Sequence, residues 1–355
     1  MMIKRFNNFF ENKGSVNKQQ LRFYAFDWDD NILNMTTVIH MEHLINGIWI
    51  KEDISTSKFA EVRTDSNWKI LNDNPDLAFS EFRDNGPRGE IAFKEDVIDA
   101  IKVKQFGPAW DDFIECLTSG AIFAIITARG HESPSIKLGI EYILDNFLTD
   151  SQLYEMYNNL LKFSYLFNDD KKYDRILKGN PTSNPLVKLY LDNCDFVGVS
   201  APSRSGDSSN PEKAKEIALL EFNKKVDNFA RSLGVKALVG FSDDDLKNVK
   251  HVEDLIDNIH HEQFPNIIRM VVKGTKDPLN ITKKVRTFSE YSENVNPMQS
   301  STITMTQPNV ASNTMGGARP YLDRLVDQSK FLTKLSKELF SKHYKNKKKD
   351  KKKKF

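Results

Sequence analysis

Cysteine is almost absent from this chain: Cys116 and Cys194 are the two among 355 residues, and neither has a metal-motif spacing. That excludes a disulfide framework and a cysteine-ligated zinc centre, and it favours a reducing, cytoplasmic setting. No window of eighteen consecutive apolar residues occurs, which argues against a membrane-spanning helix. Residues 1–20 are largely polar, with an aromatic pair at Phe9-Phe10, and lack the apolar core of a secretory signal. The seven histidines form no His-Glu-x-x-His pattern, and His40 and His131 read as surface or supporting residues rather than metal ligands. A Gly-x-x-x-x-Gly-Lys-Ser/Thr loop is missing too, so an attached P-loop polynucleotide kinase is not supported. Tyrosines and phenylalanines are scattered rather than interleaved with basic residues, so no sequence-specific nucleic-acid module is implied.

Charge is unevenly spread. Residues 342–354 hold nine lysines and one aspartate, a local +8, which leaves −6 for the rest of a chain whose formal total is +2. A basic tail of this kind suits nucleic acid, anionic lipid or an acidic protein, and equally a solvated end. Residues 289–319 are rich in Ser, Thr, Asn, Gln, Pro and Gly and read as a flexible linker. Beyond them, Leu322, Leu325, Val326, Leu332, Leu335 and Leu339 predict an amphipathic helix over 320–341, suited to a protein partner.

What the chain does have is an apolar run that stops on acids: Arg22-Phe23-Tyr24-Ala25-Phe26-Asp27-Trp28-Asp29-Asp30-Asn31. The run reads as a buried strand over 21–27, and crowding like charges at its end is costly unless a cation or charged substrate compensates. Asp27 and Asp29 are two apart, so on an extended chain they would share a side. The bland alternative is an acidic turn after a strand. Residues 93–103 and 110–117 predict helices, 121–127 a continuous apolar strand, 134–147 a helix, and 196–199 a short strand. A Ser-rich loop over 200–211 precedes a long amphipathic helix opened by Asn210-Pro211-Glu212, and 235–241 is another strand, followed by Ser242-Asp243-Asp244-Asp245. Strands alternating with helices predict an α/β fold with a parallel sheet, and the chemistry-bearing residues all follow strands, where such folds hold ligands. Residues 34–92 and 148–195 exceed a minimal sheet unit and read as inserts, either covering the site or decorating the surface.

Four pieces fall in an order that one mechanism explains: Asp27-Trp28-Asp29, Thr127, a lysine near 213, and Ser242-Asp243-Asp244. A carboxylate attacking phosphorus forms an acyl phosphate and divides hydrolysis into two steps. Magnesium would screen the repulsion between that carboxylate and an anionic phosphate. A threonine hydroxyl and a lysine would hold and neutralise the transferring group. Arg83 and Arg88 around Gly86-Pro87 suit a phosphate grip or a solvated turn, and Arg129 suits the phosphate or a surface acid. Ser203, Ser205, Ser208 and Ser209 suit a phosphate pocket or plain loop composition.

This order resembles the haloacid dehalogenase superfamily, largely phosphohydrolases, over residues 21–33, 121–130 and 210–252. The resemblance implies a three-layer, parallel-sheet Rossmannoid domain over 21–275 with inserted cap segments. It implies Asp27 as nucleophile and Asp29 as general acid/base, with Thr127 closing the second motif. Lys213 matches the family's lysine, with Lys215 a close rival. Asp243, in the Asp-Asp-x-x-x-Asn form that ends at Asn248, becomes a metal ligand, with Asp244 beside it. Asp27 and the Asp29 carbonyl complete the magnesium site. Asp30 and Asn31 depart from the usual Gly and Thr or Val, and Trp28 is bulky, its side chain expected to face away from the two acids. The implied activity is magnesium-dependent hydrolysis of a phosphomonoester, the substrate being a phosphorylated small molecule or a nucleic-acid end. A non-catalytic assembly protein on the same fold is the contrasting reading.

Overall fold

The computed structural model describes residues 20–167, 172–204, 210–277 and 281–288. The N-terminal extension up to residue 19, the linker 289–319, the helix expected over 320–341, the lysine tail 342–355, and Ser205, Ser208 and Ser209 lie outside the described residues. Among those described, no helix is long and apolar enough to cross a membrane.

The apolar runs become strands that alternate in where they send their side chains. In β1 (Gln20–Phe26), Phe23 and Ala25 face one core while Phe26 faces the other. In the strand Phe123–Thr127, Phe123 and Ile125 oppose Ala124 and Ile126 in the same way. Both faces of these strands are therefore buried, which is what a parallel sheet between helices requires. The chain continues from β1 through β2 (Ile39–Ile45), β3 (Ile48–Ile54), helix α1 (Thr56–Val62), β4 (Trp68–Ile70) and the short α2 (Pro75–Ala78). Helices α3 (Ala92–Lys102) and α4 (Trp110–Ser119) lead to β5 (Phe123–Thr127), then α5 (Ser133–Asn146), α6 (Asp150–Phe163), α7 (Pro185–Asn193) and β6 (Asp195–Gly198). Helix α8 (Pro211–Leu233), β7 (Lys236–Asp243), α9 (Leu246–Asn258), β8 (Ile267–Gly274) and β9 (Thr282–Thr287) complete it.

The main sheet runs β6-β5-β1-β7-β8-β9 and is parallel except for β9, which pairs antiparallel with β8. Helices α3 to α7 pack on one face, and α8 and α9 on the other. From β1 the chain first moves outward through β5 to β6, then returns to the far side of β1 for β7 and β8. The gap between β1 and β7 is thus the switch point of a doubly wound sheet, where the carboxyl ends of neighbouring strands leave a crevice.

The two inserts behave differently. Residues 34–92 build a separate antiparallel sheet, β3-β2-β4, on a small core of Ile39, Met41, Ile54, Val62 and Phe82. Its hairpin turns at Asn46-Gly47, both at positive φ (53° and 78°), the conformation a two-residue hairpin loop demands. Residues 148–195 instead supply Met156, Leu160, Leu186, Val187 and Tyr190 to the main core, so this interval is a structural layer.

Trp28, between the two acids, is fully buried and packs against Phe93 (ring centroids 5.3 Å) and Phe113 (5.8 Å). It anchors the loop after β1 to α3 and α4. Trp28→Ala should cost about 3–5 kcal/mol of unfolding free energy, from lost burial and the cavity left behind. Urea denaturation with an unchanged slope checks this, and a loss below about 1 kcal/mol would show that the anchor lies elsewhere.

Candidate active site

Beyond Phe26 the chain stops being a strand. The Asp27 amide still donates to Ser242 O at 2.9 Å, but Ile32 and Leu33 both return their amides to Trp28 O (2.9 and 3.3 Å), closing a helical turn. Asp30 sits at φ 58°, the left-handed region in which a glycine is ordinarily easier and Asp is tolerated. Its carboxylate is held by hydroxyls from the start of α1, Thr56 at 2.7 Å and Ser57 at 2.9 Å. Asn31 is fully buried and knits the turn to its surroundings. Its Nδ2 donates to Asp27 O (3.0 Å) and to Ser242 O (3.2 Å), and its Oδ1 accepts from Thr275 Oγ1 (2.7 Å).

Across the switch point, β7 ends on Asp243, which is wholly buried. Asp243 Oδ1 accepts the Asp245 amide at 2.9 Å, and the Asn248 amide group donates to both oxygens at 3.2 and 3.1 Å. The lysine that reaches this cluster is Lys215: its Nζ lies 2.8 Å from Asp27 Oδ1 and 3.0 Å from Asp243 Oδ2. Lys213, the position favoured by the motif, is exposed and pairs with Glu216 at 2.7 Å. The reason is helical phase. Asn210 caps α8 by accepting the Lys213 amide at 2.9 Å. That start puts Lys215 on the inward stripe with Ala218, Leu219 and Phe222, and turns Lys213 outward.

The electrostatics follow from this burial. Desolvation pushes Asp27 well above the usual carboxylate range, Lys215 opposes the shift, and Asp243 and Asp244 add to it. Asp244 is pushed up to about 7, first by burial and then by Asp243 and Asp30. Burial would pull the Lys215 ammonium down, but the carboxylates of Asp243 and Asp27 outweigh it and raise its pKa. Oxygens of Asp27, Asp243 and Asp244 all lie within 4.8 Å of one another, a donor set of hard oxygens able to hold a small divalent cation.

Asp29 belongs to a different ion cluster. Because the backbone turns after Asp27, the expectation of two acids on one side of an extended chain does not hold. Asp29 Oδ1 and Oδ2 face the Arg129 guanidinium, with Nη2 at 2.7 Å from Oδ1 and Nε at 3.1 and 3.0 Å. Thr127, fully buried at the end of β5, donates to Asp29 Oδ2 at 3.1 Å and accepts the Arg129 amide at 3.3 Å. Arg129 is thus neither a phosphate ligand facing outward nor a partner of a surface acid.

The remaining candidates among the described residues each have a partner. Arg83 pairs with Asp76, and Arg88 with Glu81 and Asp96. His40 pairs with Asp53, and His131 Nδ1 lies 2.8 Å from Asp84. Ser203 binds Glu132. The first insert meets the main domain beside the carboxyl edge of its sheet at several points, among them Asp30, Gly130 through the Arg83 bridge, Asp84 at His131 and Ser135, Thr37 at Arg129, and Arg63 near Asp245 (3.4 Å) and Glu212 (3.7 Å). Two cavities, of about 360 and 210 Å³, lie away from the acids, beside β6 and α8 and at the amino end of β1.

A carboxyl with a raised folded-state pKa keeps its proton longer in the fold than in the unfolded chain. Its contribution is therefore fully present below the unfolded value, about 4, and is lost as pH rises through the folded one. For Asp244 that window closes near its folded value of about 7. In protein freed of divalent ions, the gain in melting temperature of Asp244→Asn over wild type should grow from about pH 5 to about pH 8. A pH-independent difference in thermal melts would show that Asp244 does not carry this repulsion.

No family model, curated protein or solved structure matches this chain, so the chemistry of the site is read from its own atoms.

Proposed function

We propose that the chain is a magnesium-dependent phosphohydrolase of the haloacid dehalogenase type, acting on a phosphomonoester through an aspartyl phosphate. The observation that carries this reading is the buried Asp27–Lys215–Asp243 contact at the switch point of the sheet. A carboxylate, its neutralising ammonium and a second carboxylate from the neighbouring strand meet there, beside the partly exposed Asp244. Such an arrangement favours attack by a carboxylate oxygen on an electron-poor phosphorus, with the developing charge neutralised in place.

In the proposed reaction an oxygen of Asp27 attacks phosphorus, and the bond to the leaving oxygen breaks. Asp29 supplies that oxygen's proton and then takes one from the water that cleaves the aspartyl phosphate. Its side chain keeps 15 % of its surface exposed. Lys215 stabilises the transferring group, and Thr127 orients Asp29 from the end of β5. Asp27, Asp243, Asp244 and the Asp29 carbonyl would hold magnesium, whose donor preference the three carboxylates fit. When bound, the ion supplies positive charge that offsets repulsion between the nucleophile and phosphate. The first insert, tied to the carboxyl edge through Asp30, Gly130 and Arg63, would act as the cap that selects the leaving group. A nucleic-acid end as substrate and a purely structural role both draw on residues 289–355, and nothing in the described residues favours them over a phosphorylated small molecule.

Asp27→Asn should abolish magnesium-dependent phosphate release from an aryl phosphate while leaving the fold intact. Lys215→Ala should lower kcat by roughly 10²–10³-fold, the scale of removing a charge-stabilising group, whereas Lys213→Ala should stay within about twofold of wild type. Steady-state kinetics on purified protein, with circular dichroism as the folding control, separates these outcomes. Full activity in Asp27→Asn would end the reading.

A further inference from the structure

Arg129 is 2 % exposed, and the full width of its guanidinium is in use. Nε and Nη2 hold Asp29, Nη2 also donates to Thr37 Oγ1 at 2.7 Å, and Nη1 donates to Asp96 Oδ2 at 3.0 Å. The Phe82 and Phe93 rings lie against it, with centroids 4.5 and 5.6 Å from its central carbon. Asp96 itself is nearly sealed and also accepts from Thr37 Oγ1 and Arg88 Nη1. The two carboxylates are not equivalent: the Asp96 side chain is 3 % exposed, while Asp29 keeps 15 %. One end of the guanidinium is therefore anchored in the interior, and the other fixes an acid that keeps part of its surface exposed.

A buried ion pair is a poor way to gain stability, because desolvation of both charges offsets their attraction. Its planar fork is a good way to fix a carboxylate in one orientation. Resting on the reading that Asp29 exchanges protons during phosphoryl transfer, we infer that Arg129 is a positioning residue. Held by Asp96 and Thr37, it sets the direction in which the Asp29 carboxylate is presented. Arg129 has no hydrogen bond to Asp27, Lys215 or Asp243; its effect passes through Asp29. Thr37 lies just before β2 and Arg88 lies between α2 and α3, so the same network makes the seating of the first insert a condition for Asp29 being aimed.

The test uses the full chain with magnesium and a series of aryl phosphates of graded leaving-group pKa. It reads kcat, KM and the slope of log(kcat/KM) against that pKa. Arg129→Lys keeps the charge and loses the fork. It should lower kcat by roughly 10–100-fold, as loss of a supporting partner typically does, and leave KM within about threefold. It should also steepen the slope, because the leaving oxygen loses an oriented proton source. Asp96→Asn and Thr37→Val should shift the slope in the same direction by smaller amounts, and they carry the test if Arg129→Lys fails to fold. In an Asp29→Asn background, Arg129→Lys should change kcat by no more than about twofold, the non-additivity expected of residues acting as a unit. An unchanged slope with kcat falling only as the folded fraction falls, or fully multiplicative effects in the double variant, overturns the inference while leaving the phosphohydrolase intact. An Asp27→Asn variant as fast as wild type overturns both.

Discussion

The ammonium of Lys215 between the carboxylates of Asp27 and Asp243 is the contact on which the rest of the site depends. Three chain segments distant in sequence meet there, and each arrives with a charge that would be untenable alone. Without the lysine, two buried carboxylates would face each other with a third, Asp244, close enough to raise both their costs. Removing one member of a buried set like this leaves an uncompensated charge and is far more damaging than the pair's net worth suggests. The doubly wound order supplies the geometry: β1 and β7 are neighbours that no short connection joins, so their ends are free to converge. Helix α8 crosses beneath them in a phase that points one lysine of two into the gap.

The loop after β1 shows how local chemistry keeps that geometry in place. Trp28 goes into the core, Asp30 takes a left-handed backbone and binds α1, and Asn31 ties the turn to Ser242 and Thr275. Each departure from the expected motif therefore has a partner. Asp30 is a joint to the first insert as well as a charge felt by Asp244, with the Thr56 and Ser57 hydroxyls donating to its carboxylate. Its own pKa is raised, chiefly by burial, as those hydroxyls only partly offset the loss of water.

Much of this was legible in the chain, and the exceptions have physical causes. Apolar runs within 21–27 and 121–127 point to a parallel sheet buried on both faces, and Asn210-Pro211 to a helix start. Strand-terminal acids and Thr127 were found because they follow such runs. The hairpin of β2 and β3 went unread, residues 34–92 reading only as an insert, although Asn46-Gly47 between two β-prone runs is a local signal for it. The strand Ile267–Gly274 was not assigned from the sequence, its apolar residues being interrupted by the exposed Arg269. Choosing Lys215 over Lys213 needed the helical phase relative to the sheet, which depends on where the cap falls and on Ala218, Leu219 and Phe222 finding the core. The role of Arg129 was hidden for a different reason: its partners Asp29, Thr37 and Asp96 come from three places, and a tertiary ion cluster leaves no spacing to detect.

The two acids of the first motif end up on separate cations, and that partition bears on how the proposed chemistry is arranged. Asp27 is balanced by Lys215 from α8, on one side of the sheet, and Asp29 by Arg129, which is itself anchored to Asp96 on α3, on the other. If one cation served both carboxylates, moving a proton on one would alter the charge felt by the other at close range. With a separate partner for each, the proposed nucleophile and the proposed proton-exchanging acid face different cations. On the proposed reading, a divalent ion would act on the lysine side through Asp243 and Asp244. The arginine side is open to adjustment by the first insert through Thr37 and Arg88. The proposed division of one reaction between two carboxylates two residues apart thus rests on the turn after β1, which sends them to different counter-ions.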